Sequence, residues 1–98
     1  MTVTVLTRWS SPDVAASTRI AAESKKIWLK HGAKAVRLTQ IFTGEHTGQF
    51  YFVVDFADMA SYAKVRDAVA PALAKTTAKN LKLGAVLIER EILMGIDI

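Results

Sequence analysis

The chain contains no cysteine, which excludes disulfides, thiol catalysis and cysteine-ligated metals at the outset. Long apolar runs are also missing. The longest, Phe50–Val54 (FYFVV), is far below the roughly 20 residues a membrane-crossing helix needs. The opening MTVTVLTRW has no basic head before an apolar core, so it does not read as a secretory leader, and a cytoplasmic protein is expected. Histidine occurs only at His31 and His46, and no spacing of ligand-type residues repeats, so no metal is expected.

What is present is oily for its size. The 98 residues make one domain, and a chain this short buries only about 60–65% of its unfolded surface. Yet 51% of the residues are hydrophobic, and mean hydropathy is +0.22. Much of that apolar surface needs a cover, and a second copy of the chain is the expected one. The net charge of +4 comes from lysines scattered over two helical stretches. Lys25, Lys26 and Lys30 fall in the last turns of the first, where cations complement the helix dipole.

Thr2–Trp9 alternates with period two and is rich in β-branched residues, so it reads as a strand. In the following SSPDV, Ser11 is placed to cap a helix, with Pro12 at its first position and Asp13 in its first turn. The helix should run to Gly32, a stop residue. Its inward stripe is Val14, Ser17, Ile20, Ala21, Ser24, Ile27, Trp28 and His31. AKAVRLTQIFT and QFYFVVDFA form a hairpin around the loop Gly44–Gly48, whose two glycines supply positive φ angles. Asp58 caps a second helix striped by Tyr62, Val65, Val69, Ala72 and Leu73, with a kink or restart expected at Pro71. GAVLIEREILMGI closes the chain as a fourth strand. The order βαββαβ reads as an α+β, ferredoxin-like sandwich: four antiparallel strands with both helices on one face.

Parity divides the sheet. Phe50, Phe52, Val54 and Phe56 share a face with Val36, Leu38, Gln40 and Phe42, and this phenylalanine-rich face is expected beneath the helices. The other carries Arg37, Thr39, Ile41, Tyr51, Val53 and Asp55, extended by Leu87 and Leu93. It is too apolar for water and too polar for an ordinary core. Packing against a second subunit's sheet suits it, with Arg37 and Asp55 able to pair across the seam.

Over Ile27–Val69 (IWLKHGAKAVRLTQIFTGEHTGQFYFVVDFADMASYAKVRDAV) the chain resembles the dimeric α/β-barrel superfamily, and within it NIPSNAP-like and antibiotic-biosynthesis-monooxygenase-like domains. The resemblance implies two subunits packing their sheets into one barrel, and a small-molecule cavity inside each subunit between helices and sheet. Ser17, Ser24, Trp28, His31, Gln40 and Tyr62 project there, so a small apolar or aromatic ligand is expected, without a cofactor. The serines and Gln40 either bond one another and the backbone or face a wet pocket. Trp28 suits core filling or a substrate wall; His31 suits a helix end or a base.

Related barrels include cofactor-independent oxygenases of polycyclic phenols, which use a tryptophan, an asparagine and a tyrosine, and haem-degrading enzymes. The resemblance therefore offers Trp28, His31 and Tyr62, with Gln40 in the asparagine's place, as an oxygenase or isomerase set. The haem enzymes pair a helix histidine with a tryptophan, which His31 and Trp28 echo, and an asparagine, which here exists only at Asn80. Whether the chain is an enzyme stays open at this level. A nucleic-acid partner is not expected: βαββαβ is also the order of RNA-recognition domains, but their exposed third-strand aromatics would here point into the core.

Overall fold

The computed structural model describes all residues, Met1–Ile98. Six elements follow one another: β1 (Val3–Ser10), α1 (Val14–Lys30), β2 (Ala35–Gln40), β3 (Phe50–Phe56), α2 (Met59–Lys82) and β4 (Val86–Met94). The strands form one antiparallel sheet in the order β2-β3-β1-β4, with both helices over one face. This is the ferredoxin-like α+β fold.

Local signals act mostly as their chemistry dictates, with three corrections. Asp13, not Ser11, caps α1: its carboxylate accepts from the Ala16 N–H at 3.0 Å, and Ser11 Oγ supports the cap by accepting from the Asp13 N–H. Asp58 caps α2 through the Ser61 N–H at 2.7 Å, and no restart follows at Pro71, where α2 continues for three more turns. Proline removes one ladder bond and crowds one carbonyl, and the packing of the flanking turns carries the helix across. The loop after β2 holds Gly44 and Gly48 at φ 117° and 91°, but β2 ends at Gln40, so Phe42 leaves the sheet and stands 90% exposed.

The remaining phenylalanines do lie beneath the helices. Phe56 is fully buried, edge-on to Trp28 at 5.6 Å and to Tyr62 at 5.2 Å between ring centroids. Around it pack Val3, Val5, Val36, Val54, Val65 and Val69. All come from the end of the sandwich where β1 begins, β3 ends and α2 starts. The other end is not filled in the same way. No residue of α1 is fully buried: at this end Ser17, Ala21 and Ser24 of its inner stripe are too small to reach the sheet, and Val14 and Ile20 border the space without filling it.

The opposite sheet face is uncovered. Val53 is nonetheless buried, shielded by Leu6 and Arg37 beside it and by its own strand neighbours. Every residue of β4 is exposed. An irregularity between Arg8 and Trp9 makes Ile88 an extra residue, which resets the alternation of β4. Leu87 therefore pairs with Trp9 on the helix side, and only Leu93, opposite Thr4, extends the open face as expected.

Phe56→Ala should cost about 3–5 kcal/mol, read from the urea midpoint, since it empties the one well-packed centre. A cost below about 1 kcal/mol would contradict this account of the core.

Candidate functional site

The space that α1 leaves unfilled is a cavity of about 550 Å³ between the two helices and the sheet, within the roughly 300–1,000 Å³ range of small-molecule sites. Its floor is the helix side of β1 and β3, from Val5 to Trp9 and from Phe50 to Val54. Its walls are the first half of α1 and the second half of α2. Most of the lining is apolar, and the inner end is closed by Trp28 and Tyr62.

The polar lining is organised. Ser17 Oγ donates to Asn80 Oδ1 at 2.7 Å and lies 2.6 Å from Ser11 Oγ. Ser24 Oγ donates to Thr76 Oγ1 at 3.1 Å, and that hydroxyl donates on to the Leu73 carbonyl. These bonds tie α1 to α2 across the cavity, and no buried side-chain polar atom lacks a partner. On the outer surface Lys79 and Glu23 add a third tie at 3.1 Å, whose exposed position makes it weak. Both alternatives open for the serines hold together: they bond one another's neighbours and they line a cavity.

Of the expected pocket residues, Ser17, Ser24, Trp28 and Tyr62 line this cavity, while His31 and Gln40 do not. His31 is the C-cap of α1, exposed, with Nδ1 2.8 Å from the Ile27 carbonyl. The chain there is already turning at Gly32, which carries the ring away from the sheet. Gln40 is at the frayed end of an edge strand, where its amide donates to the Gly48 carbonyl at 3.3 Å. Sequence reasoning missed Asn80, Thr76 and Arg90, all of which line the cavity. Thr76 continues the Tyr62–Val65–Val69 stripe at helical spacing and was there to be found. Arg90 has the parity opposite to Leu93 and was there to be found as well.

Two arginines border the cavity. The Arg66 guanidinium carbon sits 5.4 Å from the Tyr62 ring centroid, a cation–π distance. Its pKa is held above the ordinary value by the Tyr62 side chain first and by Asp67 next. Arg90 Nε donates to Thr7 Oγ1 at 3.1 Å. No group of three or more histidine, aspartate or glutamate side chains is placed to hold a metal ion.

On the open sheet face, Thr39, Tyr51, Val53 and Asp55 share one surface with Arg37, and Ile41 lies half-buried just past the end of β2. Arg37 and Asp55 pair within the chain, at 3.5 Å, rather than being left free for a seam. Asp55 also accepts from Thr4 Oγ1 at 2.6 Å. Arg8, overlooked in the sequence, is 6% exposed and bonds both Gln49 and Glu89 at 3.0 Å. Arg8, Arg37, Asp55 and Glu89 are thus matched within the chain, and Glu91 on the same face has no ion-pair partner. Tyr51 is the single aromatic among the strand residues of this face.

No protein-family model matches the chain, and no curated protein matches it in sequence. Solved structures do match its fold. SnoaB, a cofactor-independent oxygenase from Streptomyces nogalater, aligns over 99% of this chain and 95% of its own, at 13% identity and a TM-score of 0.71. A dimeric ferredoxin-like protein from an uncultured marine organism aligns over 97% and 98%, at 12% identity and 0.66. A NIPSNAP family protein of unknown function from Agrobacterium tumefaciens aligns over 94% and 86%, at 13% identity and 0.65. At these identities the likeness concerns the fold alone.

Ser17→Ala should cost roughly 1–2 kcal/mol, because it strips a partner from both Ser11 and Asn80. Ser24→Ala should cost less, because Thr76 keeps the Leu73 carbonyl. Chemical denaturation of the two variants checks the order, and equal losses would mean the ladder does not tie the helices.

Proposed function

We propose that the chain is a homodimeric α/β-barrel subunit that binds a small apolar or aromatic molecule between its helices and sheet. The observation that carries this is the 550 Å³ cavity, open in a domain whose other end is tightly packed. A small chain with so little core would gain stability by burying more apolar surface there. Keeping it open is costly, which supports a role for the space. The cytoplasm is proposed as the setting, a reducing compartment in which a chain without cysteine loses nothing.

The dimer is supported by the uncovered sheet face and by composition. Half the chain is hydrophobic, but only 15 of 98 residues are buried. The open face has its arginines already paired with Asp55 and Glu89, so of its strand charges covering it leaves only Glu91 unpaired. The dimeric ferredoxin-like protein has the same fold.

A second reading, a cofactor-independent oxygenase or isomerase of an aromatic, polyketide-like substrate, is favoured by one observation. Trp28, Tyr62 and the chain's one asparagine, Asn80, line a single cavity, and SnoaB shares the fold. Asn80 accepts from Ser17 through Oδ1, which leaves its amide N–H groups free to donate. Dioxygen uptake in the presence of a polycyclic phenol supports this reading if it falls with Asn80→Ala. No uptake above the protein-free rate removes it.

The neutral dye N-phenyl-1-naphthylamine should bind with one site per chain. Ser24→Leu, which pushes a larger side chain into the space, should weaken that binding at least about tenfold while the protein stays folded. Binding unaffected by Ser24→Leu would place the dye elsewhere and overturn the cavity reading. In sedimentation at micromolar concentration, the protein should run at about twice 10.7 kDa. Tyr51→Glu, which adds an unmatched charge to the seam, should shift it to monomer. A wild-type monomer under the same conditions contradicts the dimer.

A further inference from the structure

The charges around the cavity are all of one sign. Among its lining residues are Arg66 and Arg90, and neither aspartate nor glutamate. The arrangement follows from the strand EREILM. Alternation along β4 turns Glu89 and Glu91 to the open face, where Glu89 meets Arg8, and turns Arg90 inward. Arg66 is already engaged by Asp67 and the Tyr62 ring. Arg90 is different. Its side chain is steered by the buried hydroxyl of Thr7, and no carboxylate reaches it, since the ion pairs of the chain involve Arg8, Arg37, His46, Arg66 and Lys79. Of the five arginines only Arg19 is also unpaired, and it lies on the solvent side of α1, away from the cavity.

We infer that the cavity selects apolar molecules carrying one carboxylate, with Arg90 as its charge partner and the hydrocarbon or aryl body against Phe52, Val54 and Trp28. This rests on the cavity-binding reading above and adds the chemical class of the ligand. Thr7 occupies Nε and so fixes the guanidinium plane, leaving both terminal nitrogens to meet the two carboxylate oxygens side by side. Asn80, with free amide N–H groups, adds donors and no negative charge to the same lining. An acid-free, donor-bearing wall opposite an apolar floor repels no anion and offers a cation no carboxylate.

The test compares two probes of nearly equal shape, 2-naphthoate and the neutral 2-naphthalenemethanol, titrated at pH 7 into the full chain and followed by tryptophan fluorescence. The wild type should bind the carboxylate about tenfold or more tightly than the alcohol. Arg90→Met should reduce that ratio to near one, chiefly by weakening binding of the carboxylate. Arg90→Lys should keep part of the preference, which guards against a folding defect in the methionine variant. Arg19→Met removes the same unit of net charge outside the cavity and should leave the ratio intact. Equal binding of the two probes by the wild type, or an equal loss of preference in Arg19→Met, overturns the assignment and leaves the cavity reading standing. Binding of neither probe overturns both.

Discussion

The size of the side chains on the inner stripe of α1 governs the rest of the molecule. Ile27 and Trp28 are large, and at that end helix, sheet and α2 close around Phe56. Ser17, Ala21 and Ser24 are small, and at that end the helices stand away from the sheet and leave the cavity. A uniformly apolar stripe would have collapsed the space, as packed cores do. The hydroxyl ladder to Asn80 and Thr76 does the opposite: it fixes the two helices at a set spacing without filling what lies beneath them.

The same economy of apolar side chains shapes the outer face of the sheet. Its arginines, Asp55 and Glu89 are drawn into contacts within one chain, which leaves Leu6, Tyr51 and Leu93 as the apolar surface between them. The edge strand β4 is a stronger demand. Val86, Leu87, Ile88, Ile92, Leu93 and Met94 are 37% to 52% exposed, and an apolar edge of this length invites pairing with another chain. Burial by the proposed second subunit would cover both surfaces together.

Much of the fold was legible in the residues. Period-two alternation, the Asp58 cap, Gly32 and the paired glycines of the β2–β3 loop each carry a local physical meaning, and together they leave one βαββαβ order. Parity separated the phenylalanine face from the face of Arg37 and Asp55. Legibility failed where an effect was not local. The bulge opposite Arg8 and Trp9 shifts the parity of β4 before Ile88, so Leu87 moved to the helix side, while Arg90 keeps the inward parity opposite to Leu93. Asp13 took the cap because its carboxylate reaches the Ala16 N–H, while Ser11 turned to Ser17 instead. His31 and Gln40 followed the right periodicity but stand at element ends, where the chain has already turned away.

The central claim is that the space beneath α1 is a binding site. Both tryptophans, Trp9 and Trp28, line it, so their indole N–H signals report on it from two sides. In a two-dimensional nitrogen–proton spectrum, titration with N-phenyl-1-naphthylamine should shift both indoles and the Asn80 side-chain amide in step. Shifts confined to the exposed residues of β4, with both indoles still, would contradict it.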